Sequence, residues 1–373
     1  MTANPTRTDD LAAFIAVLQE QHGAKLDVVA PAADVTAADG RLVLNRENTI
    51  LTDDGVTTLP TTSLDLSAGA IGDLADRLGI PPTYLRRCHA DRLDLFDANV
   101  NGWLAPDPRS FLLRSFVRGT GAGWCRAVLS DRYRIVDNLD VAFSVLEGIR
   151  GTGAEVRLDT CDLTDNRMVM RFYCPQVAVR APELLANYRS PFGGGSGADL
   201  PVVWAGFQVT NSETGGGALA ITPRIVVQVC KNGMTRARDA VRSVHLGERL
   251  AEGEVQWSDA TRQLQVELIR SMVTDAVTTF LSPAYVEAAV EQWGEAARTV
   301  LPDPVKAIAE VSKALRYTDA QQASILSFFT QGGDVSAFGV AQAMTAAARA
   351  SDNPDTAYVL EQDVDRALAV LAK

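Results

Sequence analysis

One stretch of the chain, residues 202–230, constrains the fold more than any other because it combines strand patterns with dense turn chemistry. Apolar residues recur at every second position from Val203 to Val209, which is the period of a half-buried strand. A polar turn with three consecutive glycines follows, and β-branched apolar residues then return as far as Cys230. A chain with this pattern must form a sheet with tight connections, and we expect strands at residues 202–210, 218–222 and 225–230.

The turn inside this stretch is unusually rich in polar residues. It consists of Asn211, Ser212, Glu213 and Thr214, followed by Gly215, Gly216 and Gly217. Glycine adopts positive φ angles without steric cost, so the three glycines indicate a tight turn. The four polar residues have two interpretations: they form a structured hairpin loop, or they contact a ligand or a nucleic acid. The sequence alone leaves both open.

Strand patterns continue before this stretch, and helical patterns follow it. We expect further strands at residues 110–117, 124–129, 155–161 and 167–174, with a helix at residues 138–150 between them. After Ser258, apolar residues recur at four-residue spacing and predict a series of helices, the last at residues 356–371. This order predicts an α+β fold with a central mixed or antiparallel sheet domain, followed by an all-helical C-terminal region.

The same patterns divide the chain into three regions. We expect a small α/β region at residues 1–66, an α+β core domain at residues 67–252 and a helical C-terminal domain at residues 253–373. The five cysteines form no CxxC pair, which favours reduced, buried thiols. No apolar run predicts a membrane span, and the first residues lack the layout of a signal peptide. We therefore expect a protein of the cytoplasm of a bacterial host cell, without a membrane partner.

Charge is distributed unevenly along the chain, which has a net charge of −11. Residues 81–250 carry +4, whereas residues 1–80 carry −7 and residues 251–373 carry −8. A basic middle between acidic flanks is a hint of a polyanion site in the middle segment. The same charge distribution is equally consistent with an excess of arginine that reflects a GC-rich genome. Those arginines would then lie on the solvated face of a sheet.

Two clusters of basic residues are the best candidates for nucleic-acid binding. Arginine pairs well with phosphates, and aromatic faces stack on unpaired bases. The candidates are Arg114, Arg118, Trp124, Arg126, Arg132 and Arg134 in the first cluster and Arg224, Lys231, Arg236 and Arg238 in the second. Both clusters border strands that we expect to share one sheet, and the structure decides whether they line one continuous groove. The alternatives are outward strand positions without a ligand for Arg126 and Arg134, and a core position for Trp124.

Motifs for known chemistry are largely missing. The chain has no P-loop motif, and His22, His89 and His245 lie far apart, so we expect no cofactor and no metal site. Residues 74–87 have the spacing of a helix-turn-helix, but two prolines in the turn favour an ordinary helical hairpin. We expect no catalytic residues, and enzymatic activity stays an open question.

Three motifs carry a resemblance to a known family. They are Asn211-Ser-Glu-Thr with Cys230-Lys-Asn-Gly-Met after it, the stretch from Arg126 to Asp140, and Val244-His-Leu-Gly before Trp257-Ser258. With these motifs, residues 105–280 resemble the phage/plasmid-like proteins known as domain of unknown function 932. The resemblance implies a gene of phages, plasmids or transferred islands, and it implies no known reaction.

Three functions remain open. The first is a non-enzymatic nucleic-acid-binding protein of phage or plasmid DNA metabolism, such as a self-associating single-strand binding or annealing factor. The second is a homo-oligomeric assembly protein whose acidic helical tail docks partners. The third is an enzyme with an unfamiliar site near Asn211, Glu213 and His245. A homo-oligomer is expected in the first two, because short strands expose edges that pair unless they are covered.

Overall fold

The computed structural model describes residues 6–44, 48–52, 55–59, 62–117, 122–193, 195–243, 253–254 and 259–373. The strands are β1 (Thr6–Thr8), β2 (Lys25–Pro31), β3 (Val35–Ala38), β4 (Arg41–Leu44), β5 (Asn48–Thr52), β6 (Gly55–Leu59), β7 (Thr62–Leu66), β8 (Ser110–Val117), β9 (Ala122–Ser130), β10 (Arg157–Leu163), β11 (Met168–Arg180), β12 (Val202–Asn211), β13 (Leu219–Val227), β14 (Gly233–Thr235), β15 (Val241–Ser243) and β16 (Gly253–Glu254). The helices are α1 (Leu11–Gly23), α2 (Ala68–Leu78), α3 (Pro82–Asp91), α4 (Leu93–Leu104), α5 (Asn138–Thr152), α6 (Pro182–Leu185), α7 (Asp259–Phe280), α8 (Pro283–Arg298), α9 (Pro304–Leu315), α10 (Asp319–Gly332), α11 (Ala337–Ala350), α12 (Pro354–Gln362) and α13 (Val364–Leu371).

Sheet A, the first of two seven-stranded sheets, is antiparallel. Its strand order is β1-β10-β11-β12-β13-β14, with β15 beside β13. Side chains alternate between the two faces of a strand. This alternation puts Phe172 and its neighbour in register, Phe207, on an apolar face, and Arg171 and its neighbour, Gln208, on a polar face.

Helices from both ends of the chain cover the apolar face of sheet A. α1, α5 and α7 contribute Phe14, Val145 and Val273 to the core around Phe172 and Phe207. Further along the same face, β12 and β13 share a second core with α8, α11 and α13. The first and last parts of the chain therefore pack on one sheet, and the boundaries expected at residues 66 and 252 stay predictions.

Sheet B has the strand order β16-β2-β8-β9-β7-β4-β3. Its pairs are antiparallel except for β7 with β9, which are parallel. α2, α3 and α4 pack on this sheet through Leu74, Leu85 and Phe96. Mixed and antiparallel sheets followed by helices from α7 onward confirm the predicted α+β fold class.

All five cysteines are buried, and none of them forms a disulfide. Within the described residues, no helix combines the length and the apolar character that are needed to cross a membrane.

The start of α2 protects the edge of β9. β7 pairs with β9 only as far as Cys125, so the next backbone groups of β9 need other partners. Ser67 Oγ donates to the carbonyl of Arg126 at 2.9 Å and also caps α2 by accepting from Ala70 N. Asp73 accepts from Val128 N at 3.2 Å. A helix cap and one acidic side chain thus replace a missing strand.

The two strands expected at residues 218–222 and 225–230 are a single strand, β13, and that prediction was wrong. Pro223 lies in its middle, opposite Phe207 of β12. The carbonyl of Pro223 accepts from Arg236 N, so it points away from β12. The proline nitrogen, which carries no hydrogen, lies on the same side. It faces the gap between β15 and β14, where no neighbouring strand needs a hydrogen bond from a backbone N–H group.

Two further expectations are corrected. The helix expected at residues 356–371 is divided into α12 and α13, because Thr235 Oγ1 donates to the carbonyl of Glu361 at 2.6 Å in place of a continuing helix.

The two basic clusters do not border one sheet. β8 and β9 belong to sheet B, whereas β13 and β14 belong to sheet A. Apolar alternation predicts the faces of a strand, but it does not identify the neighbouring strands.

A pH-dependent contribution to stability follows from Asp73. Burial raises the pKa of Asp73 from 3.8 to about 6. The folded protein therefore binds this proton more tightly than the unfolded chain. The resulting stabilisation is complete below pH 3.8 and is lost as the pH rises through about 6. Asp73→Asn keeps an acceptor for Val128 N and needs no proton.

We expect Asp73→Asn to have a higher free energy of unfolding than the wild type at pH 8, and to differ little from it at pH 4.5. Urea denaturation at both pH values measures this. Asp275→Asn is the matched control, because it changes an exposed carboxylate within another helix, α7. If Asp73→Asn changed the free energy of unfolding equally at both pH values, Asp73 would not be the source of this pH dependence.

Candidate nucleic-acid interface

One buried guanidinium joins the two sheets. Arg114 on β8 has no solvent exposure. Its Nε and Nη2 each donate to a carboxylate oxygen of Asp27 at 3.0 Å, and Nη2 also donates to Asp137 at 2.7 Å. Nη1 donates to the backbone carbonyl of Glu213 at 3.0 Å. A side chain of sheet B thus holds both the turn after β12 of sheet A and the residue that precedes α5.

The side chain of Glu213 is held by Arg126 and by α5. Arg126 Nη1 donates to Glu213 Oε2 at 2.5 Å, and the backbone N–H of Asn138 donates to Oε1 at 2.6 Å. Asn138 is the first residue of α5, where the partial positive charge of the helix stabilises a carboxylate. The guanidinium of Arg126 also lies 3.9 Å from the centroid of the Phe116 ring.

Six charged residues form this mostly buried cluster, which we call the junction network: Lys25, Asp27, Arg114, Arg126, Asp137 and Glu213. Three cations balance three carboxylates. Burial by itself raises the pKa of Glu213, but Arg126 and Arg114 outweigh it and hold the pKa below its ordinary value. Asp137 behaves in the same way, because Arg114 and Lys25 lower its pKa against the effect of burial. Both carboxylates are therefore ionised at neutral pH.

The polar turn uses its side chains inside the protein. Asn211 Nδ2 donates to the carbonyl of Val136 and to Asn138 Oδ1, both at 2.9 Å. Ser212 Oγ donates to the carbonyl of Asn166 at 2.6 Å. These contacts connect β12 to the start of α5 and to the turn between β10 and β11. They support the interpretation of a structured hairpin loop.

The rest of the turn is equally constrained. Thr214 Oγ1 donates to the carbonyl of Asp165 at 3.0 Å. Gly215 has a φ of +80°, and a Cβ there would lie 2.9 Å from Leu129. Gly217 has open space around it, so the three glycines are not equivalent.

A second charged cluster, the sheet network, lies on the polar face of sheet A and consists of Asp159, Asp162, Arg171, Arg224 and Glu361. Arg171 on β11 donates to Asp162 at 2.5 Å and to Glu361 of α12 at 2.7 Å. Arg224 on β13 donates to Asp159 at 2.6 Å and to Glu361 at 3.4 Å. Because Glu361 accepts from arginines on two different strands, it fixes α12 over the polar face.

The candidate nucleic-acid residues occupy different environments. Arg114, Arg126, Arg224 and Arg236 are buried and paired with carboxylates; Arg132, Lys231 and Arg238 are exposed; Trp124 and Arg134 are half-buried. Arg118 and His245 lie outside the described residues. The two clusters do not line one continuous groove, because Arg114, Arg126 and Arg224 bind internal carboxylates. Phosphate binding by the four buried arginines would require these ion pairs to break.

A cavity of about 510 Å³ lies between α8 and α13. Trp293 and Leu368 contribute apolar surface to it, and Arg238 and Asp365 contribute charge. Its size is within the usual range for small-molecule sites. Within the described residues, no group of three or more His, Cys, Asp or Glu is arranged to hold a metal ion.

An aromatic pair lies on the polar face of sheet A, beside the sheet network. The rings of Tyr173 on β11 and Trp204 on β12 are stacked, with centroids 5.3 Å apart and planes inclined by 16°. Gly206 is the residue opposite Tyr173, and a Cβ there would lie 2.5 Å from the carbonyl oxygen of Phe172. Both rings are half-buried.

Two arginines flank this pair. Arg157 lies opposite Tyr173 on β10, and Arg180 lies near the end of β11, two residues from the partner of Trp204 in register. Both arginine side chains are exposed. We call the four residues Arg157, Tyr173, Arg180 and Trp204 the aromatic platform. It is a partly open, positively charged surface with two stacked rings.

The sequence interpretation missed the aromatic platform, although part of the signal was present. Trp204 alternates with the core residues Val203 and Ala205, so the strand period puts it on the opposite face. Tyr173 has the same relation to Phe172. The register that brings the two rings together, with Gly206 between them, follows only from the pairing of β11 with β12.

Comparisons of the chain with protein-family models, with curated protein sequences and with solved structures found no match. The resemblance to the phage/plasmid-like family therefore stays a prediction.

The junction network predicts a large and specific loss of stability. Glu213→Gln leaves Arg126 without a counter-charge, and removing one partner of a buried pair costs about 3–5 kcal/mol. Arg126→Met in turn leaves the carboxylate of Glu213 without the counter-charge of Arg126, and we expect a similar loss of stability. The double variant Arg126→Met/Glu213→Gln removes both charges, so we expect it to lose clearly less stability than the two single variants together. Urea denaturation of the four proteins measures the coupling.

The matched control is Glu310→Gln, the same substitution in an exposed i,i+4 pair with Lys306. Its expected cost is about 0–1 kcal/mol. Additive losses in the double variant would show that Arg126 and Glu213 do not depend on each other.

Proposed function

We propose that the protein is a non-enzymatic nucleic-acid-binding protein that holds a single strand on the aromatic platform. The observation that carries this proposal is the half-exposed stack of Tyr173 and Trp204 on a sheet face. Aromatic side chains on sheets stack with unpaired bases, and each such contact contributes roughly 1–3 kcal/mol. A duplex keeps its bases stacked on each other, so the platform favours a single strand.

The charges around the rings support a polyanionic ligand. Arg180 is exposed, and none of the ion pairs among the described residues includes it. Arg157 pairs with Glu155 at 2.9 Å, but both side chains are more than half exposed. Exposed pairs of this kind contribute little stability, so Arg157 can exchange its partner for a phosphate at small cost.

The family resemblance gives this activity a setting, which is single-strand binding or annealing in phage or plasmid DNA metabolism inside a bacterial host cell. The enzyme hypothesis has less support. Asn211 and Glu213 use their side chains in internal hydrogen bonds, so neither is available to a substrate without disrupting the sheet junction.

Replacing one ring of the platform tests the proposal. We expect Trp204→Ala to weaken binding of a fluorescein-labelled 16-nucleotide oligo-dT by roughly 5- to 160-fold, because it removes a stacking contact of about 1–3 kcal/mol. Fluorescence anisotropy at low salt measures the affinity. Wild-type affinity should fall steeply with added salt, because bound phosphates release counterions.

The matched control is Trp103→Ala on α4, which removes a tryptophan that is 57% exposed and belongs to another surface. It should bind like the wild type. If both variants lose affinity equally, the platform is not the site. If the wild type binds neither single- nor double-stranded nucleic acid at micromolar concentration, the assembly-protein hypothesis becomes the better one.

We also propose that the protein forms a homo-oligomer through the first half of α7. Leu264 and Leu268 are 68% and 49% exposed and lie one helical turn apart on the same face. Two large apolar side chains that share one exposed helix face offer a contact for a second copy. Arg270, on the flank of α7, pairs with Glu147 of α5 at 4.0 Å. In a two-fold pairing of two α7 helices, the leucines would therefore provide the contact.

Light scattering tests this self-association. We expect a mass of at least about twice the 40.0 kDa of the chain and a shift to the monomer mass in Leu264→Glu/Leu268→Glu, because buried charges oppose apolar contact. Val305→Glu, at a residue of α9 that is 59% exposed, should leave the mass unchanged. A wild-type mass of one chain at every concentration would refute the oligomer.

A further inference from the structure

The helical hairpin of α2 and α3 has the buried positions and the turn of a helix-turn-helix. Gly79 ends α2 in the left-handed conformation, with a φ of +68°, and only Ile80 and Pro81 separate it from α3. The backbone N–H of Ile80 donates to the Ala75 carbonyl at 2.9 Å. The hairpin contributes six residues to the core of sheet B: Leu74, Ala75, Leu78, Ile80, Leu85 and Cys88. Two helices packed around a short glycine turn are the framework of DNA-binding helix-turn-helix motifs.

The two prolines of the turn are compatible with this motif. Pro82 is the first residue of α3, where a backbone N–H group would have no partner within the helix. Pro81 precedes it with a φ of −57°, an ordinary value for proline. Neither proline interrupts α2 or α3, so the prolines do not exclude a helix-turn-helix.

One face of α3 is open to solvent and carries two arginines. It consists of four exposed residues, which we call the α3 face: Thr83, Arg86, Arg87 and Ala90. Their spacing of i, i+3, i+4 and i+7 puts them on one side of the helix. Leu85, on the other side, has no solvent exposure. In helix-turn-helix proteins the second helix presents such an outward face to the major groove of DNA.

The cations of the α3 face are not used inside the protein. Among the described residues, no ion pair includes Arg86. Its guanidinium packs against α2, because a Cβ at Gly72 would lie 2.6 Å from Arg86 Nη2. Arg87 pairs with Asp91 of its own helix at 3.8 Å, but the two side chains are 84% and 65% exposed. Such a pair contributes little stability, so both arginines can bind phosphate without breaking a buried ion pair.

Most of the acidic side chains around the hairpin have partners of their own. Asp73 accepts from the backbone of β9, and Asp97 on α4 accepts from Gly40 N at 3.0 Å. Asp94 pairs with Arg92 at 2.6 Å. Asp76 is different, because it is exposed and lies one turn after Gly72, on the side of α2 that Arg86 packs against. Its charge would oppose a phosphate bound near Arg86.

We propose that the protein has a second nucleic-acid site, at which the α3 face binds duplex DNA in the major groove. An α-helix with its side chains is about 10–12 Å wide, and the major groove of B-DNA is about 12 Å wide. The short side chains of Thr83 and Ala90 allow the helix to approach the bases closely. Arg86 and Arg87 are long enough to reach phosphates or guanine edges.

This site is separate from the aromatic platform. The hairpin packs on sheet B, whereas the stacked rings of Tyr173 and Trp204 belong to sheet A. The two sites also suit different ligands, because a helix in the major groove requires paired strands and a stacking platform requires unpaired bases. The duplex site therefore does not depend on the proposed single-strand function.

Fluorescence anisotropy with two labelled probes at low salt tests the inference. One probe is a mixed-sequence duplex of about two helical turns, and the other is the oligo-dT that tests the platform. We expect the wild type to bind the duplex. Arg86→Ala/Arg87→Ala should weaken duplex binding at least about tenfold and reduce its salt slope by about two units, because two phosphate contacts are lost. The same variant should bind oligo-dT like the wild type.

Three further variants complete the experiment. Asp76→Asn should strengthen duplex binding about two- to fivefold, because it removes a negative charge beside Arg86. Trp204→Ala should lose affinity for oligo-dT and keep its affinity for the duplex. Arg298→Ala/Lys306→Ala is the matched control, since it removes two cations that are 66% and 73% exposed on α8 and α9. It should bind the duplex like the wild type.

The outcomes separate this inference from the proposed function. If the wild type binds no duplex at about 20 µM protein in low salt, the inference is overturned. It is also overturned if Arg86→Ala/Arg87→Ala binds the duplex like the wild type, or if this variant and Trp204→Ala each lose affinity for both probes equally. If duplex binding depends on the two arginines and oligo-dT is not bound, the inference stands and the proposed single-strand function fails.

Discussion

The arrangement of the two sheets depends on the ion pairs of Arg114. This side chain has no solvent exposure, and it binds Asp27 of its own sheet, Asp137 before α5 and the backbone of the turn after β12. A buried guanidinium without such partners would be strongly destabilising, so the three carboxylates and three cations of the junction network depend on each other. The network also explains the polar turn. Asn211 and Ser212 are specific because they bind the segment at the start of α5 and the turn between β10 and β11. Glu213 binds the first residue of α5 and also pairs with Arg126 of sheet B.

In the sheet network, buried arginines paired with carboxylates likewise hold the C-terminal region. Arg171 and Arg224 are buried on the polar face of sheet A, and Glu361 of α12 neutralises charge from both. Arginine suits this role because its planar fork of donors can bond several acceptors at once. The basic middle of the chain and part of its acidic tail are therefore complementary inside the molecule. Around Tyr173 and Trp204, the exposed side chains of Arg157 and Arg180 leave positive charge at the surface of sheet A.

Much of the fold could be predicted from the sequence, and much less of the site. The alternation in β12 and the four-residue spacing in α7 were sufficient for the α+β class, because each pattern reports which face of a single element is buried. These patterns do not predict which strands pair with each other. β13 continues through Pro223 only because the gap between β15 and β14 accommodates a residue without an N–H group. The assignment of β8 and β13 to different sheets likewise depends on contacts between distant segments.

The sequence by itself determined the α+β class, the tight glycine turn and the list of basic and aromatic residues. Only the tertiary structure decided which of these residues face the interior. Arg126 and Arg180 are chemically identical in the sequence, yet one is paired with Glu213 beneath the Phe116 ring and the other is exposed beside the aromatic platform. The physical reason is that an arginine is tolerated inside a protein only where carboxylates from distant segments meet it, and such a meeting is a property of the assembled sheets.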